Sequence, residues 1–169
     1  MIGWLVGEIK QQKLYEDTTI VFWTDHGYKL GEHCDWFKHD NYEDATRIVT
    51  IIKPADGLLT SPKPPGTIIE QLAEEVDMFP SLLNLHGMPV PAELEGESWV
   101  PLLEKASVNS PGKQRVFSQY PHGLSKNASL HGFKNESGTV MGYSMRTPLW
   151  RYTEWQVHKQ EAPCFRGLV

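Results

Sequence analysis

Thr18–Trp23 (TTIVFW), running directly into Thr24-Asp25-His26-Gly27, is the stretch on which the fold turns. Its β-branched and aromatic side chains form a nearly continuous apolar run, the pattern of a strand shielded on both faces. Arg47–Ile52 (RIVTII) is a second strand of the same kind, stopped by Lys53-Pro54. Upstream, Ile2, Leu5, Val6, Ile9 and Leu14 keep to one helical face, while Glu8, Lys10, Gln11 and Gln12 lie mostly off it. That helix begins at the first residue without a cap and reaches the strand through Glu16-Asp17, which leads us to expect a segment cut from something longer. Helix, buried strand, polar loop, buried strand is an α/β signature.

Further along, Leu58–Gly66 holds three prolines and reads as a surface loop. Gln71–His86 carries Leu72, Val76, Phe79, Leu82, Leu83 and Leu85 at roughly helical spacing. Pro80 suits the first turn of that helix, Asp77 its N-cap and Gly87 its C-terminus. Ser98–Glu104 reads as a turn followed by one apolar helical turn. Arg115–Tyr120 reads as a strand and Lys126–Ser137 as a polar loop. Val140–Arg146 and Trp150–Val157 alternate partly across Thr147-Pro148-Leu149, which predicts an antiparallel hairpin.

At 169 residues the chain is sized for one domain with a real core. A hydrophobic share of 40% and a charged share of 22% argue against disorder, collagen and disulfide-scaffold classes. The net charge of -5 offers no basic field for nucleic acid. No apolar run approaches the ~20 residues needed to span a bilayer, and Met1–Lys10 lacks the basic and apolar regions of a signal peptide. The expectation is a soluble, weakly acidic chain. Two cysteines, Cys34 and Cys164, are too few for a disulfide framework or a cysteine-based zinc site. Asn127-Ala128-Ser129 and Asn135-Glu136-Ser137 are glycosylation sequons, a weak pointer to the secretory route.

The chemistry is concentrated where the first strand ends, the place where open parallel α/β sheets bind ligands. Asp25 offers oxygens and His26 a ring nitrogen, so consecutive residues can approach one metal, and Gly27 lets the backbone turn sharply. A bare Asp-His-Gly is more often a solvated loop than a site. The residues downstream of Gly27 change that balance. The loop also holds Lys29, Glu32, His33, Asp35, Lys38 and His39, and so long and ionisable a connection between buried strands is more often functional than structural. A metal plus a lysine is equipment for gripping an anionic ester: the cation polarises the central atom and the ammonium adds a second positive charge.

Thr24-Asp25-His26-Gly27-Tyr28-Lys29-Leu30-Gly31-Glu32-His33-Cys34-Asp35-Trp36-Phe37-Lys38 resembles the downstream signature of the sulfatase family. Further similar blocks are Asp77-Met78-Phe79-Pro80-Ser81-Leu82, Gly87-Met88-Pro89-Val90-Pro91 and Arg151-Tyr152-Thr153-Glu154-Trp155. Phe117-Ser118-Gln119-Tyr120-Pro121 and Met141-Gly142-Tyr143-Ser144-Met145-Arg146-Thr147 resemble the iduronate branch. The likeness runs from about Ile2 to Val157. It implies a partial sulfatase/alkaline-phosphatase-like α/β sandwich with a C-terminal antiparallel β portion. Residues 1–110 would be the part of the core carrying the metal and substrate loop, 111–158 the β portion and 159–169 an unrelated tail.

The resemblance also implies Asp25 and His26 as Ca2+ ligands, Lys38 as a contact to the substrate sulfate and Tyr28 as an aromatic near the sugar. His33 is expected to brace the loop; His39 has no matched role. The family nucleophile is a formylglycine made from the cysteine of Cys-x-Pro-Ser-Arg. Cys34 is followed by Asp35-Trp36 and Cys164 by Phe165-Arg166, so neither fits. The implied function is therefore that of a fragment of a calcium-dependent sulfuric ester hydrolase acting on 2-O-sulfated iduronate in heparan and dermatan sulfate, in the lysosome, inactive as an isolated chain. Two other readings stand beside it. One is a phosphodiesterase or phosphonate hydrolase of the same superfamily using Zn2+ or Mn2+, metals that suit a histidine ligand better than calcium does. The other is a noncatalytic glycan-binding module, against which the acidic balance counts.

Overall fold

A computed structural model of the chain describes residues 1–105, 112–123 and 138–159. In chain order the elements are α1 (Ile2–Gln11), β1 (Ile20–Trp23), β2 (Lys29–Leu30), β3 (Trp36–Phe37), α2 (Glu43–Thr46), β4 (Thr50–Lys53), α3 (Met78–Leu85), α4 (Val100–Leu103), β5 (Val116–Gly123), β6 (Gly138–Arg146) and β7 (Arg151–Lys159). They fall into two compact units. The sequons at Asn127 and Asn135, the polar loop expected around them, Cys164 and residues 160–169 of the expected tail lie outside the described residues.

The first unit comprises Met1–Asp25 and Val49–Val116. Here β1 and β4 pair antiparallel, from Ile20 opposite Lys53 to Trp23 opposite Thr50. The apolar runs predict strands covered on both faces, and the structure differs. Phe22, Trp23 and Ile51 are 37%, 46% and 59% exposed, because among the described residues the sheet is a two-stranded ribbon. Side chains fasten its ends: the Lys53 ammonium donates to the Tyr15 carbonyl at 2.5 Å, and the Thr19 hydroxyl accepts the Ala55 N–H at 3.0 Å.

Gly87 ends α3 as the sequence predicts, whereas Asp77 holds the expected N-cap position without capping: its carboxylate makes no bond to the α3 N–H groups and accepts the Glu74 N–H instead. Asp77 precedes the first helical residue, and Gly87 just past the end adopts φ +67°, the left-handed conformation that only glycine takes without strain. Ser81 joins α3 to α4: its hydroxyl donates to the Asp77 carbonyl at 2.5 Å and accepts the Trp99 N–H at 2.7 Å. Leu85, Trp99 and Leu102 are buried in this unit, and each such side chain contributes about 1.5–3 kcal/mol on full burial.

The second unit comprises His26–Ile48 and the described residues from Phe117 onward. Its three-stranded sheet has the order β5-β6-β7. The expected hairpin is there: β6 and β7 pair antiparallel through Arg146 opposite Arg151. The turn closes by Thr147 N–H to the Trp150 carbonyl at 2.7 Å and Trp150 N–H to the Thr147 hydroxyl at 3.0 Å. Val140 and Ser144 are buried, as the two-residue period of a strand requires. No helix among the described residues is long and apolar enough to cross a membrane.

Candidate functional site

The His26–Ile48 segment doubles back on itself. The Gly27 N–H donates to the Ala45 carbonyl at 2.9 Å. A β-carbon at position 27 would stand 2.0 Å from the Asp44 carbonyl oxygen and 3.0 Å from that of Arg47. Glycine is therefore required by the close approach of two backbones. Beyond it, β2 and β3 pair as a short hairpin with Lys29 opposite Phe37 and Leu30 opposite Trp36. Its turn and exit hold His33, Cys34 and Phe37 at φ +58°, +58° and +77°. Three non-glycine residues in the left-handed region within five positions store strain, a concentration typical of functional loops. The Glu32 carboxylate, in the same turn, accepts the Leu30 N–H at 2.6 Å, which holds its pKa below the ordinary value.

Of the expected site residues, the structure brings His26 and Lys38 together. The His26 Nδ1 meets the Gly27 carbonyl at 2.7 Å, and the Lys38 ammonium bonds its Nε2. Both contacts are met by the tautomer with its proton on Nδ1, which donates to the carbonyl and leaves the Nε2 lone pair to accept from Lys38. In metal-ligating histidines one nitrogen likewise bonds a carbonyl while the other binds the metal, so the Lys38 ammonium here occupies the nitrogen that a metal would take. Asp25, exposed, is the last residue of the first unit and stands immediately before His26. One carboxylate and one imidazole fit a share of a divalent cation's shell. Among the described residues no three His, Cys, Asp or Glu side chains form a metal-sized group, whereas Ca2+ takes 6–8 oxygens.

Tyr28 is half exposed and meets the Phe37 ring edge-on at 6.0 Å. His33 braces the loop: its ring stacks on Tyr42 at 4.1 Å, and its Nε2 lies 3.4 Å from the Asp44 carboxylate. His39 is tilted against the Tyr120 ring at 5.8 Å.

Sequence reasoning passed over the residues that anchor this loop. Lys29, only one of its many ionisable groups on paper, is fully buried. Its ammonium lies between the carboxylates of Asp35, at 2.6 Å, and Asp40. Asn41, also buried, donates to the Gly142 carbonyl at 3.0 Å and accepts from the Ser118 hydroxyl at 3.1 Å. Glu43 accepts from Arg151 at 2.7 Å and Arg146 at 3.2 Å. The one sequence signal for Lys29 was a lone lysine between Tyr28 and Leu30 with acids six and eleven residues on.

Burial pushes the Glu43 carboxyl up, but the hydrogen bonds and charges of Arg151 and Arg146 outweigh it, so its pKa lies below the ordinary 4.5. A carboxyl depressed by folding contributes stability that is fully present above its unfolded pKa and lost as pH falls through its folded one. The melting temperature should therefore fall as pH drops below 4.5, and Glu43→Gln should flatten that part of the profile. An acid limb identical in the variant would show the tie to be inert.

Comparison with known proteins extends the picture. A family model described as Sulfatase matches residues 1–88. Iduronate 2-sulfatase of Mus musculus is 31% identical over 91% of this chain and 35% of its own length, and the Homo sapiens protein is 28% identical with the same coverage. Arylsulfatase K of Rattus norvegicus is 27% identical over 90% of this chain and 24% of its own. The chain thus spans about a third or less of the relatives it matches. Among solved structures, a phosphonate monoester hydrolase from Silicibacter pomeroyi superposes with a TM-score of 0.66 at 27% identity, covering 95% of this chain and 32% of that one. A protein solved with its substrate D-glucosamine-2-N,6-O-disulfate superposes at 0.69 with 24% identity, covering 95% of this chain and 31% of that one; it speaks to the fold alone. The fold shared with both is the expected one, a partial alkaline-phosphatase-like arrangement of helices and strands.

Proposed function

This chain belongs to the sulfatase family, and on that premise we propose that it carries the lysine arm and part of the metal shell of a sulfuric ester hydrolase. The observation that supports this best is the contact between the Lys38 ammonium and the His26 Nε2 directly after Asp25. That contact sets a mobile cation beside a metal-type imidazole where an anion's oxygens can be held. Asp25 and His26 would hold the divalent cation, the Lys38 ammonium then leaving the His26 Nε2 for the sulfate oxygens, with Ca2+ the metal implied by the family. When bound, such a cation neutralises sulfate oxygens and polarises the sulfur. Lys38 donates to sulfate oxygens, and Tyr28 offers an exposed ring to the sugar. Likeness to iduronate 2-sulfatase supports 2-O-sulfated iduronate in heparan and dermatan sulfate as the substrate, and lysosomal residence with it.

Inorganic sulfate is the probe for this reading. Titrated into the 169-residue chain, it should bind saturably. Lys38→Ala should weaken binding about tenfold or more, the loss of one charge-assisted contact. Equal affinity in the variant would defeat the assignment. Neither cysteine lies in a Cys-x-Pro-Ser-Arg motif, so the chain alone should not turn over a sulfated aryl ester; turnover abolished by Lys38→Ala would refute that account.

A second reading, a phosphonate or phosphodiester hydrolase using Zn2+ or Mn2+, is favoured by the imidazole donor and the Silicibacter likeness. Thermal upshift with each metal, lost in His26→Ala, separates the two. A response to Zn2+ or Mn2+ but not Ca2+ selects the second.

A further inference from the structure

We propose that Lys29 is a positioning residue that sets the Lys38 ammonium for its anion, an inference that rests on the sulfate reading above. Three sets of contacts link Lys29 to the chain around Lys38. First, the backbone of Lys29 pairs with Phe37, the residue before Lys38. Second, the Lys29 ammonium bonds Asp40, two residues after Lys38, and Asp35, just ahead of β3. Third, the Asp40 N–H donates to the Lys38 carbonyl at 2.9 Å, while the Asp40 carboxylate also accepts the Tyr42 N–H at 2.6 Å. The chain on either side of Lys38 is thus held by one buried side chain.

What is held in place is a strained reversal. Phe37 sits at φ +77°, a conformation that an aromatic residue keeps only when its surroundings enforce it. The Lys29 ammonium is fully out of solvent and lies 5.6 Å above the Tyr42 ring, whose partner is the stacked His33. A desolvated ammonium between two carboxylates has few alternative geometries of comparable energy, because any displacement leaves a buried charge unpaired. Lys38, the lysine assigned to the anion, is therefore carried on a turn pinned by a buried one. Sequence matching alone selects Lys38; the fold makes Lys29 the reason that Lys38 reaches His26.

The test separates positioning from mere stabilisation. Lys29→Met leaves the buried Asp40 carboxylate unpaired and is expected to destabilise the fold. The double variant Lys29→Met with Asp40→Asn removes that charge, keeps an oxygen for the Tyr42 N–H, and should regain most of the lost melting temperature. A residue with only a structural role would regain its other properties too. We expect otherwise. In the isotope-labelled 169-residue chain, the nuclear Overhauser contact between the Lys38 side-chain methylenes and the His26 ring should be present in the parent, absent in the double variant, and accompanied there by about tenfold weaker sulfate binding. A double variant that keeps the contact and binds sulfate within about twofold of the parent overturns the proposal, as does a parent chain lacking the contact. Lys38→Ala with undiminished sulfate affinity would instead refute the sulfate reading, and the Lys38–His26 contact would still decide the role of Lys29.

Discussion

Gly27→Ala is expected to cost about 3 kcal/mol, the upper end of overpacking penalties, and to release the His26–Ile48 loop from its folded course. The new methyl group would lie 2.0 Å from the Asp44 carbonyl oxygen and 3.0 Å from two further backbone atoms. Backbone cannot swing away as the tip of a side chain can. The α2 segment must move out, and the hydrogen bond from Gly27 to Ala45 is lost with it. Gly7→Ala is the control: it lies inside α1, where a β-carbon meets nothing within 4 Å. That change should stabilise by roughly 0.5–1 kcal/mol, the helix-propensity difference. Urea denaturation of the two variants should therefore shift in opposite directions. A Gly27→Ala midpoint equal to the parent's would mean that the loop does not pack as described.

Asp77→Ala should be as damaging, at about 3–5 kcal/mol, the cost of breaking a buried ion pair from one side. The Asp77 side chain is almost completely buried and serves three donors: the Glu74 N–H at 2.9 Å, the Glu97 N–H at 2.8 Å and the Lys113 ammonium at 2.6 Å. Truncation orphans two backbone groups and leaves Lys113 to Glu74 alone. Asp77→Asn keeps the shape and should cost less. Burial pushes the Lys113 pKa down, but Asp77 and Glu74 outweigh it and raise it above 10.5. An ammonium raised by folding contributes stability that is present below its unfolded pKa and lost as pH climbs through its folded one. The parent should thus lose stability above pH 10.5, and Asp77→Ala should lose much of that alkaline dependence. Thermal melts across this range check both statements; a variant melting with the parent would contradict them.

Much of this was legible in the residues. Apolar runs marked β1 and β4, and Asp77, Pro80 and Gly87 marked the limits of α3. The partial alternation either side of Thr147-Pro148-Leu149 marked the β6–β7 hairpin. These signals are local, set by side-chain period and turn chemistry. The family motif singled out Asp25, His26, Tyr28 and Lys38 because its residue types recur at fixed spacing. The pairing direction of β1 and β4 was not legible: an apolar run declares that a strand exists but carries no mark of its partner's direction.

The sequence by itself therefore determined where β1, β4, α3 and the β6–β7 hairpin lie and that the chain is a sulfatase relative, whereas it left β2, β3 and α2 inside a polar loop. Only the tertiary structure decided that the Lys38 ammonium meets the His26 ring, that Lys29 is sealed between Asp35 and Asp40, and that Gly27 has no room for a methyl group. The physical reason is that period and motif are properties of neighbouring residues. Desolvation, charge pairing and backbone clearance depend instead on what the fold brings alongside, and a lysine reads the same on paper whether it ends in water or between two buried acids.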